Sequence, residues 1–387
     1  MTPGPVLFLS ASVGVGHTSA AKAVETALGE HDLDVRIVDA YAHAVPFFSK
    51  IAADGYIRMV KVAPWMYGFL YDRVERARKV GSSRRWLSRL GAQNLHALIE
   101  SIQPSCVVCT HAFPCGIMAD YKAGIDPTLP VMGIVTDYVV HPFWIYRNID
   151  AYAVATPQMR DVLIARGVNP SRVQTTGIPV DPRFGSIASK TQARIALGLG
   201  TLGQRRLVLV MAGGLGIGPL EMMLRGLEDV SHSVAAVVLT GKNARREARL
   251  REWVSRLPYP VLVRGFEENV YDYMHAADVL LTKPGGLTIS EALVARIPMV
   301  LVKPLGGQEQ RNTRYLLERG AALNASTIDE ITQSVQRVLQ WPHERDRQLA
   351  RAETLRRPEA AADAAVLISH LVEREPLTAT ALGSRSD

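Results

Sequence analysis

One stretch in the second half of the chain combines residues that could hold a phosphate group. Residues 277–281 form a short apolar run, residues 284–286 are Pro-Gly-Gly, and a helix is predicted from Thr288 onward. A glycine-rich turn before a helix exposes backbone N–H groups to an anion, and the helix dipole adds to the attraction. The predicted contributors are Gly285, Gly286 and Thr288. The spacing of Thr288 and Glu291 equally fits a capping box, in which the two side chains only satisfy the end of the helix.

The same strand-loop-helix pattern occurs on both sides of this stretch. An earlier apolar run, residues 206–211, is followed by a loop that contains Gly214, Gly216 and Gly218. A later run, residues 298–302, is followed by the polar residues Gln308, Glu309 and Asn312. In a parallel sheet these loops all lie at the carboxyl ends of strands, where open α/β folds bind ligands. The earlier loop is predicted to present backbone amides to a diphosphate.

The first strand of the chain, Val6 to Leu9, also precedes a glycine loop, which contains Gly14 and Gly16 and ends at His17. Small residues allow the backbone to approach a ligand closely, although the dinucleotide fingerprint is absent. From the residues alone, His17 at a helix start is a capping or packing residue or a contact for a ligand held by this loop. Asp137, which ends another strand-like run, is by itself a strand-end cap.

Length and composition restrict the kind of protein. A chain of 387 residues predicts two domains, and 48% hydrophobic with 21% charged residues is typical of a folded protein. The amino terminus lacks a basic region before an apolar run, and no stretch approaches the roughly 18 apolar residues of a membrane span, which predicts a cytoplasmic protein. The three cysteines, Cys106, Cys109 and Cys115, are predicted to be reduced core residues.

The positive charge is concentrated in residues 45–95, which contain ten Lys or Arg and three Asp or Glu. The net charge of this segment equals that of the whole chain, +7. Aromatic residues lie between these charges, a combination that suits the interface of an anionic membrane. Two alternatives are a solvated pair of basic helices and a stacking surface for single-stranded nucleic acid. Nothing else in the chain is typical of a nucleic-acid module, so no nucleic-acid partner is predicted.

Three motifs resemble one family of enzymes. They are Lys-Pro-Gly-Gly-x-Thr-x-x-Glu from Lys283, Gly-Gln-Glu-x-x-Asn from Gly307, and Thr-Asp-x-x-x-His-Pro-x-Trp from Thr136. The combination is similar to the monogalactosyldiacylglycerol synthases and diacylglycerol glucosyltransferases of glycosyltransferase family 28. The glycine loop at His17 departs from the plant-type pattern, because Val15 replaces a glycine and Thr18 replaces an arginine.

The resemblance implies a GT-B fold of two facing Rossmann-like domains with a cleft between them. The implied domains are residues 1–184, which bind acceptor and membrane, and 185–355, which bind UDP-sugar. Residues 356–375 form a helix that crosses back, and residues 376–387 form a disordered tail. The implied reaction transfers glucose or galactose from a UDP-sugar to the 3-hydroxyl of diacylglycerol with inversion.

The resemblance also implies roles for individual residues. His17 or Asp137 takes the acceptor proton, the backbone near Phe266 reads uracil, Glu291 binds ribose, and Gln308, Glu309 and Asn312 hold the sugar. No metal ion or other cofactor is implied, and the protein would bind the inner face of the cell membrane through anionic lipids. The alternatives are a transferase for another lipid, a relative of the UDP-sugar epimerases, and a catalytically silent UDP-sugar-binding regulator.

Overall fold

The computed structural model describes residues 4–11, 15–44, 81–186, 189–304 and 307–375, with the side chains of residues 81–91 and Thr201 excepted. The chain divides into two compact units. Unit 1 consists of Met1–Asp181 with Glu359–Asp387, and unit 2 consists of Pro182–Pro358. Unit 1 is thus built from two separate parts of the sequence.

Unit 1 contains a six-stranded parallel sheet with the strand order β2-β1-β3-β4-β5-β6. Its strands are short apolar runs, most of them buried along their whole length, as is usual where helices cover both faces of a parallel sheet. They are β1 (Val6–Ser10), β2 (Val35–Asp39), β3 (Cys106–Cys109), β4 (Val131–Ile134), β5 (Ala151–Val154) and β6 (Val173–Thr175).

The helices of unit 1 lie between these strands, except that β4 and β5 are joined by a 3-10 helix alone and that the last helix comes from the carboxyl-terminal part of the chain. They are α1 (Val15–Leu28), α2 (Ala40–Ala44), α3 (Gly81–Ile102), α4 (Ala112–Gly124), α5 (Pro157–Ala165) and, after unit 2, α14 (Ala360–Glu373). Leu367 and Ile368 of α14 are fully buried in one apolar core with Phe8 of β1 and Val24 of α1. The final helix therefore completes the core of unit 1.

Unit 2 repeats the architecture with the strand order β12-β11-β10-β7-β8-β9, again parallel throughout. The strands are β7 (Arg206–Met211), β8 (Val234–Leu239), β9 (Val261–Arg264), β10 (Val279–Thr282), β11 (Met299–Val302) and β12 (Leu323–Ala325). The helices are α6 (Lys190–Ala196), α7 (Leu220–Arg225), α8 (Ala244–Val254), α9 (Val270–Ala276), α10 (Gly286–Val294), α11 (Gln308–Glu318), α12 (Ile328–Gln340) and α13 (Pro342–Glu353).

Several local predictions differ from the structure. The helix expected from Thr288 begins at Gly286, and α1 already begins at Val15, so His17 lies in its first turn. The helix expected over residues 356–375 is shorter, Ala360–Glu373, and a separate helix, α13, precedes it. Pro358 lies between them, and proline removes a helical hydrogen bond and disfavours helical backbone in the residue before it. The cysteine prediction is confirmed, because Cys106, Cys109 and Cys115 are buried and unbridged.

Part of the sequence analysis concerns residues outside the described ranges. These are Gly14 in the first glycine loop, most of the basic segment 45–95, and the tail from residue 376. Of that basic segment, the structure describes the helical backbone of α3 from Gly81 onward and the side chains from residue 92. Within the described part of the chain, every helix is too short or too polar to span a bilayer.

Candidate functional site

Each unit has one point where its strand order reverses, and the candidate residues follow the strands at that point. In unit 1 the first strand, β1, has β2 on one side and β3 on the other, and His17 and His111 follow β1 and β3. In unit 2 the first strand, β7, has β8 on one side and β10 on the other, and the loops at Gly213 and Lys283 follow β7 and β10. Such reversal points are where ligands bind in open α/β sheets, outside the carboxyl ends of the strands.

The imidazole of His17 is fixed through its Nδ1 atom. Nδ1 lies 2.9 Å from the carbonyl oxygen of Thr110 and 2.8 Å from the hydroxyl oxygen of Thr136. A carbonyl oxygen only accepts hydrogen bonds, so Nδ1 carries the proton and donates it to Thr110. The lone pair of the neutral ring is then on Nε2. This is the tautomer in which Nε2 can accept a proton from a substrate.

Burial keeps this ring neutral. It lowers the pKa of His17 from 6.5 to about 4, and the hydrogen bond to Thr110 opposes only part of that shift. An imidazole must be unprotonated to act as a base, so the ring of His17 is in the form that this role would require throughout the neutral range.

His111 lies against His17 and has the opposite tautomer. The two ring centroids are 4.8 Å apart at an interplanar angle of 88°. The backbone N–H of Phe113 donates to Nδ1 of His111 at 3.1 Å, which caps α4 and leaves the His111 proton on Nε2. Burial, and to a lesser degree the neighbouring His17, lower the pKa of His111 well below 6.5. Two neutral imidazoles therefore share the reversal point of unit 1.

Asp137 and His141 follow β4, the strand after β3 in the sheet order. Asp137 is partly buried, whereas His141 is 6% exposed. Nδ1 of His141 accepts a hydrogen bond from the backbone of Phe143 at 3.3 Å and caps the short 3-10 helix Pro142–Trp144. His141 is thus the capping residue of this short helix.

In unit 2, Lys283 connects the elements at the reversal point. Its Nζ lies 2.8 Å from a carboxylate oxygen of Glu309 at the start of α11, and both side chains are mostly buried, with 21% and 14% exposure. Its alkyl chain crosses the glycine loop, because a Cβ atom added to Gly213 would lie 2.9 Å from Cε of Lys283. A buried ammonium beside a glycine loop is suited to a phosphate group. The sequence analysis quoted Lys283 as part of a motif and gave it no role.

The amino terminus of α10 has no side-chain cap. Gly285 is the N-cap residue and, among the described residues, no side chain caps this helix start, so the capping box predicted as one alternative for Thr288 and Glu291 is wrong. The helix begins two residues before Thr288, and this shift places Thr288 at the third helical position, where it cannot act as the N-cap. The first amides of α10 remain available for an anion.

The polar residues of α11 have different environments. Gln308 begins the helix and Glu309 bonds to Lys283, and both are partly buried. Asn312 is fully buried, and its Nδ2 donates to the carbonyl oxygen of Pro284 at 3.1 Å. In this structure Asn312 supports the Pro284–Gly286 loop.

The opposite side of the glycine loop is bounded by the segments after β8 and β9. The backbone N–H of Lys242 donates to the carbonyl oxygen of Gly214 at 2.9 Å. Nζ of Lys242 lies 4.8 Å from the ring centroid of Phe266, whose side chain is 42% exposed. Phe266 therefore presents an exposed aromatic surface near the loop that contains Gly214, Gly216 and Gly218.

A cavity of about 430 Å³ lies at the other edge of the second sheet. It is lined by Arg206 at the start of β7, by Asp278 before β10 and by Pro298 before β11. Its cationic residues are already paired, since Lys190 lies 2.7 Å and Arg206 3.5 Å from Asp278. This cavity is distant from the glycine loop and is held together by internal ion pairs.

Among the described residues, no group of three or more His, Cys, Asp or Glu side chains is arranged to hold a metal ion. The sequence contains one Asp-x-Asp tripeptide, residues 32–34, which lies between α1 and β2 at the amino-terminal edge of the first sheet. It is therefore at the opposite edge from His17.

Models of known protein families match segments in both halves of the chain. Residues 17–180 match the family model for monogalactosyldiacylglycerol (MGDG) synthase, and residues 200–368 match the glycosyltransferase family 28 C-terminal domain. A curated relative, the processive diacylglycerol beta-glucosyltransferase of Bacillus cytotoxicus, is 30% identical over 365 residues, which are 92% of this chain and 91% of the relative.

Two solved structures are similar in fold. MurG of Acinetobacter baumannii has a TM-score of 0.61 at 15% identity, with 95% of this chain and 99% of that chain covered. Anabaena HepE, solved with UDP and glucose, has a TM-score of 0.51 at 14% identity, with 96% and 98% covered. The predicted fold class, two Rossmann-like α/β domains of the GT-B kind, is confirmed.

Proposed function

The chain belongs to the family of monogalactosyldiacylglycerol synthases and diacylglycerol glucosyltransferases, and we propose that it transfers a hexose from a UDP-sugar to diacylglycerol. The transfer is from UDP-glucose or UDP-galactose to the 3-hydroxyl of 1,2-diacylglycerol, with inversion at the anomeric carbon. The product is a membrane glycolipid. The observation that carries this proposal is the orientation of His17 by Thr110, because a protein that only bound UDP-sugar would have no use for a base.

Unit 1 supplies the proton acceptor. The glycerol hydroxyl ionises far above neutral pH, so a base must remove its proton as the oxygen attacks the anomeric carbon. Nε2 of His17 has the free lone pair for this step, and Asp137 is the second candidate. Thr110 and Thr136 hold the ring in place. When Nε2 takes up the proton, the Nδ1–H of the resulting imidazolium is already hydrogen-bonded.

Unit 2 binds the donor. The amides of the glycine loop and of the first turn of α10, together with the ammonium group of Lys283, stabilise the negative charge that develops on the departing UDP. The chain would therefore need no divalent metal for this step. Glu291 binds the ribose hydroxyls, Gln308 and Glu309 contact the sugar, and the backbone near Phe266 contacts uracil. Asn312 contributes by holding the loop at Pro284 in place.

The acceptor is a lipid, and the basic segment 45–95 is the part of the sequence suited to reach it. We assign to it the contact with anionic lipid at the inner face of the cell membrane. The proposed partners are UDP-sugar, diacylglycerol and anionic lipids, and no nucleic acid.

The test is a product analysis. Purified protein is incubated with diacylglycerol and a panel of UDP-sugars in chelator-treated buffer, and the products are weighed by mass spectrometry and their anomeric configuration is read by NMR. A β-hexosyl diacylglycerol is expected. A modified UDP-sugar with no lipid product would indicate an epimerase, and binding of UDP-sugar with no reaction would indicate a regulator.

A further inference from the structure

The carbonyl oxygens of the glycine loop, residues 213–218, are held by donors from the protein itself. The carbonyl of Gly213 accepts from Gly216 N at 2.9 Å, and that of Gly214 accepts from Lys242 N at 2.9 Å. The guanidinium of Arg246 donates Nη1 to the carbonyl of Gly216 and Nη2 to the carbonyl of Gly218, each at 2.6 Å. Four carbonyl oxygens are thus occupied, two of them by one side chain.

Arg246 is itself held in place. It lies in the first turn of α8, where its backbone N–H donates to the side chain of the N-cap residue Asn243 at 3.1 Å. Nη2 also donates to a carboxylate oxygen of Glu221 at 2.7 Å, and the Arg246 side chain is only 19% exposed. Three bonds to one planar guanidinium fix its orientation, which a flexible ammonium group could not do.

Occupied carbonyls determine where the amides point. In a trans peptide the C=O and the following N–H point in opposite directions, and the described residues contain no cis peptide bond. The carbonyl oxygens of Gly213, Gly214 and Gly216 point at the groups that donate to them. The N–H groups on the same three peptides, those of Gly214, Leu215 and Ile217, therefore point away from those donors. No described group accepts a hydrogen bond from these three amides. The peptide between Gly216 and Ile217 is oriented directly by Arg246.

We infer that Arg246 is a positioning residue for the diphosphate of the donor: it holds the carbonyl oxygens of Gly216 and Gly218 away from the anion, and its bond to Gly216 turns the N–H of Ile217 towards the anion. This inference rests on the proposed UDP-sugar site. If a carbonyl oxygen of the loop faced the diphosphate, it would repel the phosphate oxygens, and the N–H group of the same peptide would point away from them. Arg246 touches neither the donor nor the reacting atoms.

The test compares the binding of UDP with that of uridine by calorimetry. Arg246→Met is expected to weaken UDP binding by roughly 10- to 100-fold, while uridine, which lacks phosphate, binds as it does to the wild type. The matched control is Arg251→Met, on the same helix. Among the described residues, the Arg251 side chain bonds only to Glu247, so this variant should bind both ligands normally. Glu221→Gln keeps both carbonyl bonds and should change UDP affinity by less than about threefold.

Arg246→Lys separates charge from geometry and also decides the case if the Met variant does not fold. Lysine keeps the positive charge and can reach only one of the two carbonyls, so UDP binding should stay at least about fivefold weaker than in the wild type. Full rescue by lysine, equal losses for UDP and uridine, or normal UDP binding in Arg246→Met would each overturn the inference. If the wild-type protein bound neither uridine nor UDP, that result would instead refute the proposed function.

Discussion

Nδ1 of His17 lies 2.9 Å from the carbonyl oxygen of Thr110, 93 residues away in the chain. This contact joins the first turn of α1 to the residue after β3 and determines which nitrogen of the ring can act as a base. The first two predictions follow from it.

His17→Ala is expected to lower turnover at saturating lipid by roughly 10²- to 10⁴-fold, the usual contribution of a positioned proton acceptor. UDP affinity should be unchanged, because the proposed donor site is in unit 2. His31→Ala, an exposed histidine at the end of the 3-10 helix Gly29–His31, is the control. Near-normal turnover in His17→Ala, with none in Asp137→Asn, would assign the base to Asp137.

The pH dependence follows from the burial of His17, which places its pKa at about 4. Because the active form is the neutral one, kcat/KM for diacylglycerol should stay level from pH 7 down to about pH 5 and fall only as the pH approaches 4. A fall centred near 6.5 would show a solvated histidine. The unfolded chain binds this proton near pH 6.5 and the folded chain only near 4, so the contribution of this group to stability is present above pH 6.5 and is lost as the pH falls towards 4.

Glu291→Ala should raise the KM for UDP-sugar at least tenfold without lowering the melting temperature. No side chain caps α10, so a loss of capping, which costs about 0.5–2 kcal/mol, is not expected. Thermal denaturation and donor titration measure the two effects separately. The control is Glu318→Ala, which changes an exposed glutamate at the end of α11. An unchanged KM together with a lower melting temperature would leave Glu291 without a role in donor binding.

Lys283→Met should weaken UDP binding by roughly 10- to 100-fold, as expected for a charge-assisted bond of about 1.5–3 kcal/mol. Glu309→Gln should strengthen the binding of UDP without an attached sugar, because it releases Lys283 from its 2.8 Å ion pair. UDP-sugar binding should still weaken in that variant, since the proposed sugar contact is lost. Lys190→Met, which breaks an ion pair at the other edge of the sheet, is the control in the same titrations. Equal UDP affinity in Lys283→Met and wild type would exclude the phosphate contact.

Neutralising Arg84, Arg85 and Arg89 together should reduce binding to anionic vesicles by roughly 100-fold, from about 1 kcal/mol for each basic residue near the membrane. Flotation with vesicles of increasing anionic content, at two salt concentrations, measures the effect, and UDP binding should not change. Neutralising the exposed Arg245, Arg249 and Arg256 of unit 2 makes the same change in net charge and serves as the control. If both triple variants bind equally, or if neutral vesicles bind as well as anionic ones, the assignment of this segment is wrong.

The sequence predicted β1, β7, β10 and β11 because each is a short apolar run. The bounds predicted for β7, residues 206–211, agree with the structure. The short strand β12, Leu323–Ala325, was not predicted, since three residues with one polar member give no clear pattern. The first turn of α10 was misplaced because glycine at a helix start carries no strong signal beside an apparent capping box.

The sequence predicted the motifs of the candidate site but not the residues that hold those motifs in place. His17 could be identified from its loop, but its tautomer depends on Thr110 and Thr136, which are distant in sequence. Arg246 had no local signal, because its three acceptors belong to a loop and helix about 25 to 30 residues earlier. Side chains that act by holding a backbone segment become visible only when the fold brings the two together.

The position of α14 sets an order of events during synthesis. Unit 2 is an uninterrupted stretch of chain, residues 182–358, whereas unit 1 also needs residues 360–373, which are synthesised after unit 2. Until they are made, Leu367 and Ile368 cannot bury Phe8 and Val24 in the core of unit 1. The part of the chain that is synthesised first therefore cannot complete its core until the end of synthesis, which departs from the usual amino-terminal-first order of folding domains. A chain that ends at residue 358 would contain all of unit 2 and would leave this apolar core of unit 1 open.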